Sequence, residues 1–168
     1  PPPIIKSVGY PVQDTFVRDD MMTMNYGDTG DMYTGCSQSE NVNFQSFIQF
    51  NLKDLVTAKG MVIEDVTMSI RFGDSLGLKN SKLQIWSAKK QWFENDMTWV
   101  NKPQKDVLLA EIPVEDNQIS ADIDMKYYFN KIYTGVQDFD YGFIIKLSDD
   151  NTQEYKRMYT KESGTVLS

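Results

Sequence analysis

Hydrophobic and polar residues alternate with a period of two in several short runs of the chain. The clearest are "FQSFIQFNL", which starts at residue 44, and "VIEDVTMSIRF", which starts at residue 62. Successive side chains of a β-strand point to opposite faces of its sheet, so these runs are predicted to be strands. One face carries, in the first run, Phe44, Ser46, Ile48 and Phe50 and, in the second, Val66, Met68, Ile70 and Phe72.

Further runs extend this pattern along the chain. In "LQIW", Leu83 and Ile85 alternate with Gln84 and Trp86, and other predicted strands are "VLLAEIPV", "QISADID", "YGFIIKL" and "YKRMYT". One segment, "DIDMKYYFNKIYTG", has helical spacing instead, with Asp124 as the predicted N-cap. Many short strands and one short helix predict an all-β fold, an antiparallel jelly-roll β-sandwich.

The composition restricts the chemistry that this fold can carry. The chain has 168 residues and no histidine, and Cys36 is its single cysteine. Histidine is the usual general base and a common metal ligand, and no other constellation looks catalytic, so we do not expect an enzyme. The formal net charge of −7 opposes binding to nucleic acid. No apolar run is long enough to span a bilayer, so membrane insertion is not expected.

Several stretches resemble DNRLRE-type domains, and they do so in the family's order. The first is "QDTFVRDDMMTMNYGDTGDMYTG", followed by the strand pair "FIQFNLKDL" and "VIEDVTMSIRF". The stretch "LQIWSAKKQWFENDMTWVNKP" is similar to the family's most characteristic part, and "ADIDMKYYFNKI", "DYGFIIKLSDD" and "YTKESG" match later parts. The resemblance extends from about Gln13 to Gly164.

The resemblance implies a non-catalytic jelly-roll module of an extracellular, cell-surface or virion-surface protein. Relatives include the family-96 carbohydrate-binding modules, which bind acidic polysaccharide such as alginate. The resemblance also implies a final apolar strand bracketed by proline, whereas this sequence stops at Ser168. The opening "PPPIIKSV" has the form of that strand. We therefore predict residues 1–12 to be a terminal strand or linker, and residues 13–168 to be one domain.

Two functions from different classes follow. In the first, Ile4, Ile5 and Val8 form an assembly strand that pairs with a neighbouring copy or an adjacent repeat. The chain would then be a structural or adhesive module, and this is the favoured hypothesis. The alternative to exchange is that this strand folds back into its own sandwich.

The second function is carbohydrate binding. Aromatic rings stack on the apolar faces of sugars, and Trp86 falls on the polar phase of its strand. The predicted glycan-binding residues are Trp86, Lys89, Lys90 and Arg157, whereas Trp92 and Trp99 are predicted to be structural. The net charge of −7 weakens the expectation of a polyanionic ligand, unless local lysines override it.

Acidic turns raise the question of a structural calcium ion. Ca²⁺ prefers six to eight oxygen ligands from carboxylates and carbonyl groups. Asp14, Asp149 and Glu162 are the candidate ligands, although the spacing of the acidic turns does not match an EF-hand. Solvated turn carboxylates are the alternative explanation.

Overall fold

The computed structural model describes residues 9–37, 42–50, 64–76, 82–115, 117–133, 141–148, 155–159 and 166–167. These residues form antiparallel strands and one short helix, which confirms the predicted all-β fold class. The elements are β1 (Pro11–Arg18), β2 (Asp31–Ser37), β3 (Val42–Phe50), β4 (Thr67–Leu76), β5 (Lys82–Ala88), β6 (Lys105–Pro113), β7 (Ser120–Asp124), α1 (Lys126–Tyr133), β8 (Phe143–Leu147), β9 (Tyr155–Tyr159) and β10 (Val166–Leu167).

Strand β3 is where the two layers of the sandwich meet. One edge of β3 pairs with β1 from Phe44 to Phe50. The opposite edge is divided, because β2 pairs with Val42–Phe44 and β8 pairs with Ser46–Ile48. Layer I therefore continues through β8, β5 and β6, and layer II continues from β2 through β9 to β4, which also pairs with β7 and β10.

The main hydrophobic core lies between the two layers. Layer I contributes residues such as Ile48, Ile85 and Ile145, and layer II contributes residues such as Ile70 and Met158, all of them buried. The inward positions predicted from alternation are confirmed in β4 and β5, and at Val66 directly before β4. All are at most 9% exposed: Val66, Met68, Ile70, Phe72, Leu83 and Ile85.

The helix α1 closes one part of this core. Asp124 accepts a hydrogen bond through Oδ1 from the backbone N–H of Lys126 at 2.9 Å, as expected of a side chain that caps a helix start. Tyr128 and Phe129 are buried, and Tyr128 packs edge-on against Phe143 with ring centroids 4.9 Å apart. None of the helices among the described residues is long and apolar enough to cross a membrane.

A second, smaller core covers part of the outer face of layer I. Val17, Phe47 and Ile144 point away from the main core, and residues 89–104 fold over them. This segment contributes Trp92 and Met97, which are 4% and 2% exposed. Asn25 fixes the segment by donating to the carbonyl oxygens of Glu94 and Met97 at 2.7 and 2.9 Å. The outer face is thus covered over β1, β3 and part of β8, and the candidate site lies beside this cover.

Candidate functional site

The candidate site is on the outer face of layer I, at strands β8, β5 and β6. Leu83 and Ile85 point into the main core, so Gln84 and Trp86 point outward. Gln84 pairs with Lys146 of β8, and Trp86 pairs with Ile144 of β8. Residues directly opposite each other in a pair of strands share a face. Trp86 and Lys146 therefore lie on the same outer surface.

Trp86 is held in place by a short chain of hydrogen bonds. Its Nε1–H donates to Oε1 of Gln84 at 3.0 Å, and Gln84 Nε2 donates to Oε2 of Glu111 at 2.7 Å. The indole is half-buried, and the ammonium group of Lys105 lies 4.3 Å from its ring centroid. This is a cation–π contact, and part of the indole ring remains accessible to solvent.

Trp99 repeats the same arrangement at the end of the covering segment. The ring is half-buried, and Lys102 Nζ lies 4.7 Å from its centroid. Partial burial lowers the pKa of Lys102 below 10.5, and the positive charge of Lys146 lowers it further. Two half-buried tryptophans, the half-buried Lys102, the exposed Lys105 and the buried Lys146 therefore lie on one face of layer I. We call Trp86, Trp99, Lys102, Lys105 and Lys146 the tryptophan–lysine face.

The third tryptophan shows what a purely structural role looks like in the same region. Trp92 is buried, and its Nε1–H donates to the carbonyl oxygen of Tyr141 at 2.6 Å. Its ring meets Phe47 edge-on, with centroids 5.8 Å apart. The prediction that Trp92 is structural is confirmed.

Comparison with known families decides what kind of domain this is. The family model for carbohydrate-binding module family 96 matches residues 6–167. The chain belongs to carbohydrate-binding module family 96. This confirms the resemblance found in the sequence. A search of curated proteins found no match to the chain.

Membership in family 96 bears on both functions predicted from the sequence. It supports carbohydrate binding, the alternative hypothesis, rather than the favoured structural or adhesive role. Carbohydrate-binding modules are generally non-catalytic, in agreement with the expectation that the chain is not an enzyme.

The module places the four predicted glycan-binding residues in two regions. Trp86 lies in β5, and Lys89 and Lys90 directly follow that strand and are exposed. The backbone N–H of Lys89 donates to the carbonyl oxygen of Gln104 at 2.9 Å, which holds this turn beside β6. Arg157 lies on β9 in layer II, where its Nη1 is 3.3 Å from both carboxylate oxygens of Asp31. The structure therefore does not bring Arg157 to Trp86.

Four members of the tryptophan–lysine face, three lysines and Trp99, were not predicted from the sequence as binding residues. Lys102, Lys105 and Lys146 belong to the loop before β6, to β6 and to β8. Lys146 was visible only as a polar residue within the apolar run "FIIKL". Its position inside an apolar run is the signal that the sequence offers. The structure shows that Lys146 is buried there, which is rare for a lysine. Trp99 was predicted to be structural and does pack against the second core, but it also reaches the surface.

The remaining predicted sites are only partly covered by the structure. Asp14 is 1% exposed, and its backbone N–H donates to Oε1 of Glu94 at 2.9 Å. Asp149 and Glu162 lie outside the described residues, and within the described part of the chain no group of three metal-binding side chains occurs. The calcium site stays a prediction. Ile4, Ile5 and Val8 also lie outside the described residues, while β1 starts at Pro11, two residues before the predicted domain boundary.

Proposed function

We propose that this module binds an acidic polysaccharide through the tryptophan–lysine face. The observation that carries this proposal is the placement of two half-buried tryptophans, each beneath a lysine ammonium group, on one surface. Indole rings supply an apolar platform for sugar rings, and ammonium groups supply partners for carboxylates. Family membership supports a carbohydrate ligand, and the lysines favour an acidic one.

The positions of the lysines favour an acidic sugar over a neutral one. A sugar ring that stacks on Trp86 must displace the ammonium group of Lys105 from the indole. An exposed cation–π contact is worth about 0.5–1 kcal/mol, whereas a hydrogen bond to a charged group is worth about 1.5–3 kcal/mol. A carboxylate on the sugar therefore repays the displacement, because the ammonium group moves from the ring to a stronger partner. A hydroxyl of a neutral sugar also accepts from the ammonium group, but it carries no opposite charge and is the weaker partner.

The charge of the whole chain does not oppose this proposal at close range. The formal net charge is −7, but interactions between exposed charges fade beyond a Debye length of about 8 Å at physiological salt. Lys102 and Lys146 are close enough for one to lower the pKa of the other. A carboxylate beside the half-buried Lys102 offsets this repulsion. Because polysaccharides of this kind occur in cell walls and matrices, we propose an extracellular or cell-surface location.

The three indole N–H groups provide a direct test. In a ¹⁵N-labelled module, titration with a polygalacturonate oligosaccharide is expected to shift the indole signals of Trp86 and Trp99. The Trp92 signal is expected to stay in place, because its N–H is buried against Tyr141. Single Trp→Phe variants assign the three signals. Equal shifts of all three, or a shift of Trp92 alone, would contradict the proposed surface.

A matched control is available on the helix. Tyr127 is an exposed aromatic residue with Lys131 Nζ 4.5 Å from its ring centroid. It reproduces one aromatic–lysine contact without the second aromatic ring and the additional lysines. Tyr127→Ala is expected to leave migration in a polygalacturonate gel unchanged, while Trp86→Ala removes the retardation. Equal effects of the two substitutions would show that any surface aromatic–lysine pair suffices.

Assembly through strand exchange is a second proposal, supported by one observation. Among the described strands, β6 pairs with β5 alone, and its exposed side chains include Val107 and Leu108. An open edge of this kind can accept an added strand. If residues 1–8 supply that strand to another copy, their deletion is expected to convert an assembly into monomers in analytical ultracentrifugation. A monomeric full-length chain at the same concentration would contradict the proposal.

A further inference from the structure

The outer face of layer II carries a second aromatic residue flanked by cations. Phe72 of β4 pairs with Met158 of β9, and both are buried in the main core. Their neighbours Arg71, Arg157 and Tyr159 therefore point away from the core. Tyr159 also pairs with Asp31 of β2, which adds a carboxylate to the same surface. These four residues, Asp31, Arg71, Arg157 and Tyr159, are called the Tyr159 cluster.

Both guanidinium groups of the cluster lie within reach of the same ring. The Cζ atom of Arg71 is 5.9 Å from the Tyr159 ring centroid, and that of Arg157 is 5.3 Å from it. Arg157 pairs with Asp31 at 3.3 Å. Arg71 is exposed and makes no ion pair with any described residue. Two positive charges therefore share one carboxylate within the cluster.

Gly73 makes room for this arrangement. A Cβ atom at residue 73 would lie 2.4 Å from Nε and 2.7 Å from Cζ of Arg157. The guanidinium group of Arg157 therefore lies directly against the backbone of β4. A side chain at residue 73 would push the guanidinium group away from its present position. The absence of a side chain at Gly73 thus leaves space for the guanidinium group of Arg157 beside Tyr159.

We propose that the Tyr159 cluster is a second carbohydrate-binding site, which takes a sugar unit that carries a carboxylate. Arg71 pairs with that carboxylate, because an exposed guanidinium group binds carboxylates in a two-pronged geometry. Arg157, Asp31 and the Tyr159 hydroxyl offer donors and an acceptor for sugar hydroxyls. This inference rests on the proposed polysaccharide-binding function, and it adds that one module binds two polysaccharide chains.

The described members of this cluster carry an excess of positive charge. The three charged members carry a formal net charge of +1 in a chain of net charge −7, from two arginines and one aspartate. Asp122 of the neighbouring strand β7 accepts a hydrogen bond from Ser69 Oγ at 2.6 Å. The cluster and the tryptophan–lysine face lie on different layers, on β9 and β5. Each of the two sites is therefore expected to bind its own short oligosaccharide molecule.

Stoichiometry provides the first test. Calorimetric titration with a short galacturonate oligosaccharide is expected to give two sites per chain for the unmodified protein. Trp86→Ala and Arg71→Ala are each expected to leave one site, and the double variant none. With long polygalacturonate, the unmodified protein is expected to increase light scattering by bridging chains, and each single variant is expected to abolish that increase. Lys126→Ala removes one exposed positive charge elsewhere and is expected to retain both sites.

The outcomes distinguish this inference from the proposed function. One site that is lost in Trp86→Ala and unchanged in Arg71→Ala would overturn the second site and leave the proposed function standing. An absence of any binding by the unmodified protein would overturn both. Gly73→Ala provides a further check, because it displaces the Arg157 guanidinium without removing a charge. It is expected to weaken the second site several-fold, whereas an unchanged affinity would show that the position of Arg157 does not matter.

Discussion

The outer face of layer I is divided into two halves that use tryptophan differently. Over β1 and β3, residues 89–104 cover the sheet, and Trp92 is sealed against Phe47 with its N–H bonded to a backbone carbonyl. Beside this cover, over β5 and β6, Trp86 and Trp99 remain partly exposed beneath lysines. The same residue type therefore packs in one half and presents a surface in the other.

This difference teaches that the partners of an aromatic residue indicate its role. A ring surrounded by apolar side chains stabilises the fold, since its removal leaves a cavity. A ring beneath an ammonium group, reached by solvent, keeps a face that a ligand can take. The sequence positions of Trp92 and Trp99 do not reveal which ring is sealed and which is partly exposed. That difference depends on which part of the sheet each ring covers.

The largest expected effect is on stability in the sealed half. Trp92→Ala is expected to lower the free energy of unfolding by about 3–5 kcal/mol, as is typical when a buried aromatic side chain is removed. Denaturant unfolding followed by circular dichroism measures this loss. A loss below about 1 kcal/mol would mean that the covering segment does not depend on Trp92 and that the two halves are alike.

The second effect is on binding in the open half. Trp86→Ala is expected to reduce affinity for polygalacturonate at least about tenfold, equivalent to about 1.4 kcal/mol, because it removes the sugar platform. It is expected to change the free energy of unfolding by less than about 1.5 kcal/mol, since the ring is only half-buried. Calorimetry and denaturant unfolding on the same sample measure the two quantities. A large stability loss with unchanged affinity would reverse the assigned roles.

The smallest effect is a dependence of affinity on alkaline pH. Burial and Lys146 lower the pKa of Lys102 in the free module, and a bound carboxylate favours the protonated lysine and raises its pKa again. At a pH where Lys102 of the free module is partly deprotonated, binding of a carboxylate is therefore accompanied by uptake of a proton. Affinity is expected to fall as pH rises through the lowered pKa and to level off above the pKa of the complex.

Lys102→Met provides the control for this pH dependence. The variant is expected to bind acidic polysaccharide several-fold more weakly at about pH 7, with a flatter profile between about pH 7 and about pH 10. Calorimetric titrations across this range measure both profiles. Parallel profiles for the two proteins would show that Lys102 does not contact the ligand.

Much of the fold could be predicted from the sequence because alternation is a local property. Ile70 and Ile85 were placed inward, Trp86 outward and Asp124 at the helix start, and the structure agrees. Strand β2 was not predicted. Its sequence "DMYTGCS" lacks a clear alternation and includes Gly35 at φ 109°, a backbone angle that few residues other than glycine adopt.

The candidate site was predicted less well because it depends on strand order. Lys146 faces Gln84 only because β8 pairs with β5. The two residues are separated by about 60 positions in the chain. Arg157 was also predicted to bind glycan, but β9 pairs with β2 and β4, which places it on the other layer from Trp86. Alternation assigns a side chain to a face and not to a neighbour, so the long-range partners were beyond its reach.

A pair of titrations tests the central claim most directly. Calorimetry compares polygalacturonate with its fully methyl-esterified form, which keeps the sugar backbone and removes the carboxylate charge. The acidic polymer is expected to bind the module at least about tenfold more tightly, and Trp86→Ala is expected to remove most of that difference. Equal affinity for the two polymers, or a preference for the ester, would contradict the assignment of the tryptophan–lysine face to acidic polysaccharide.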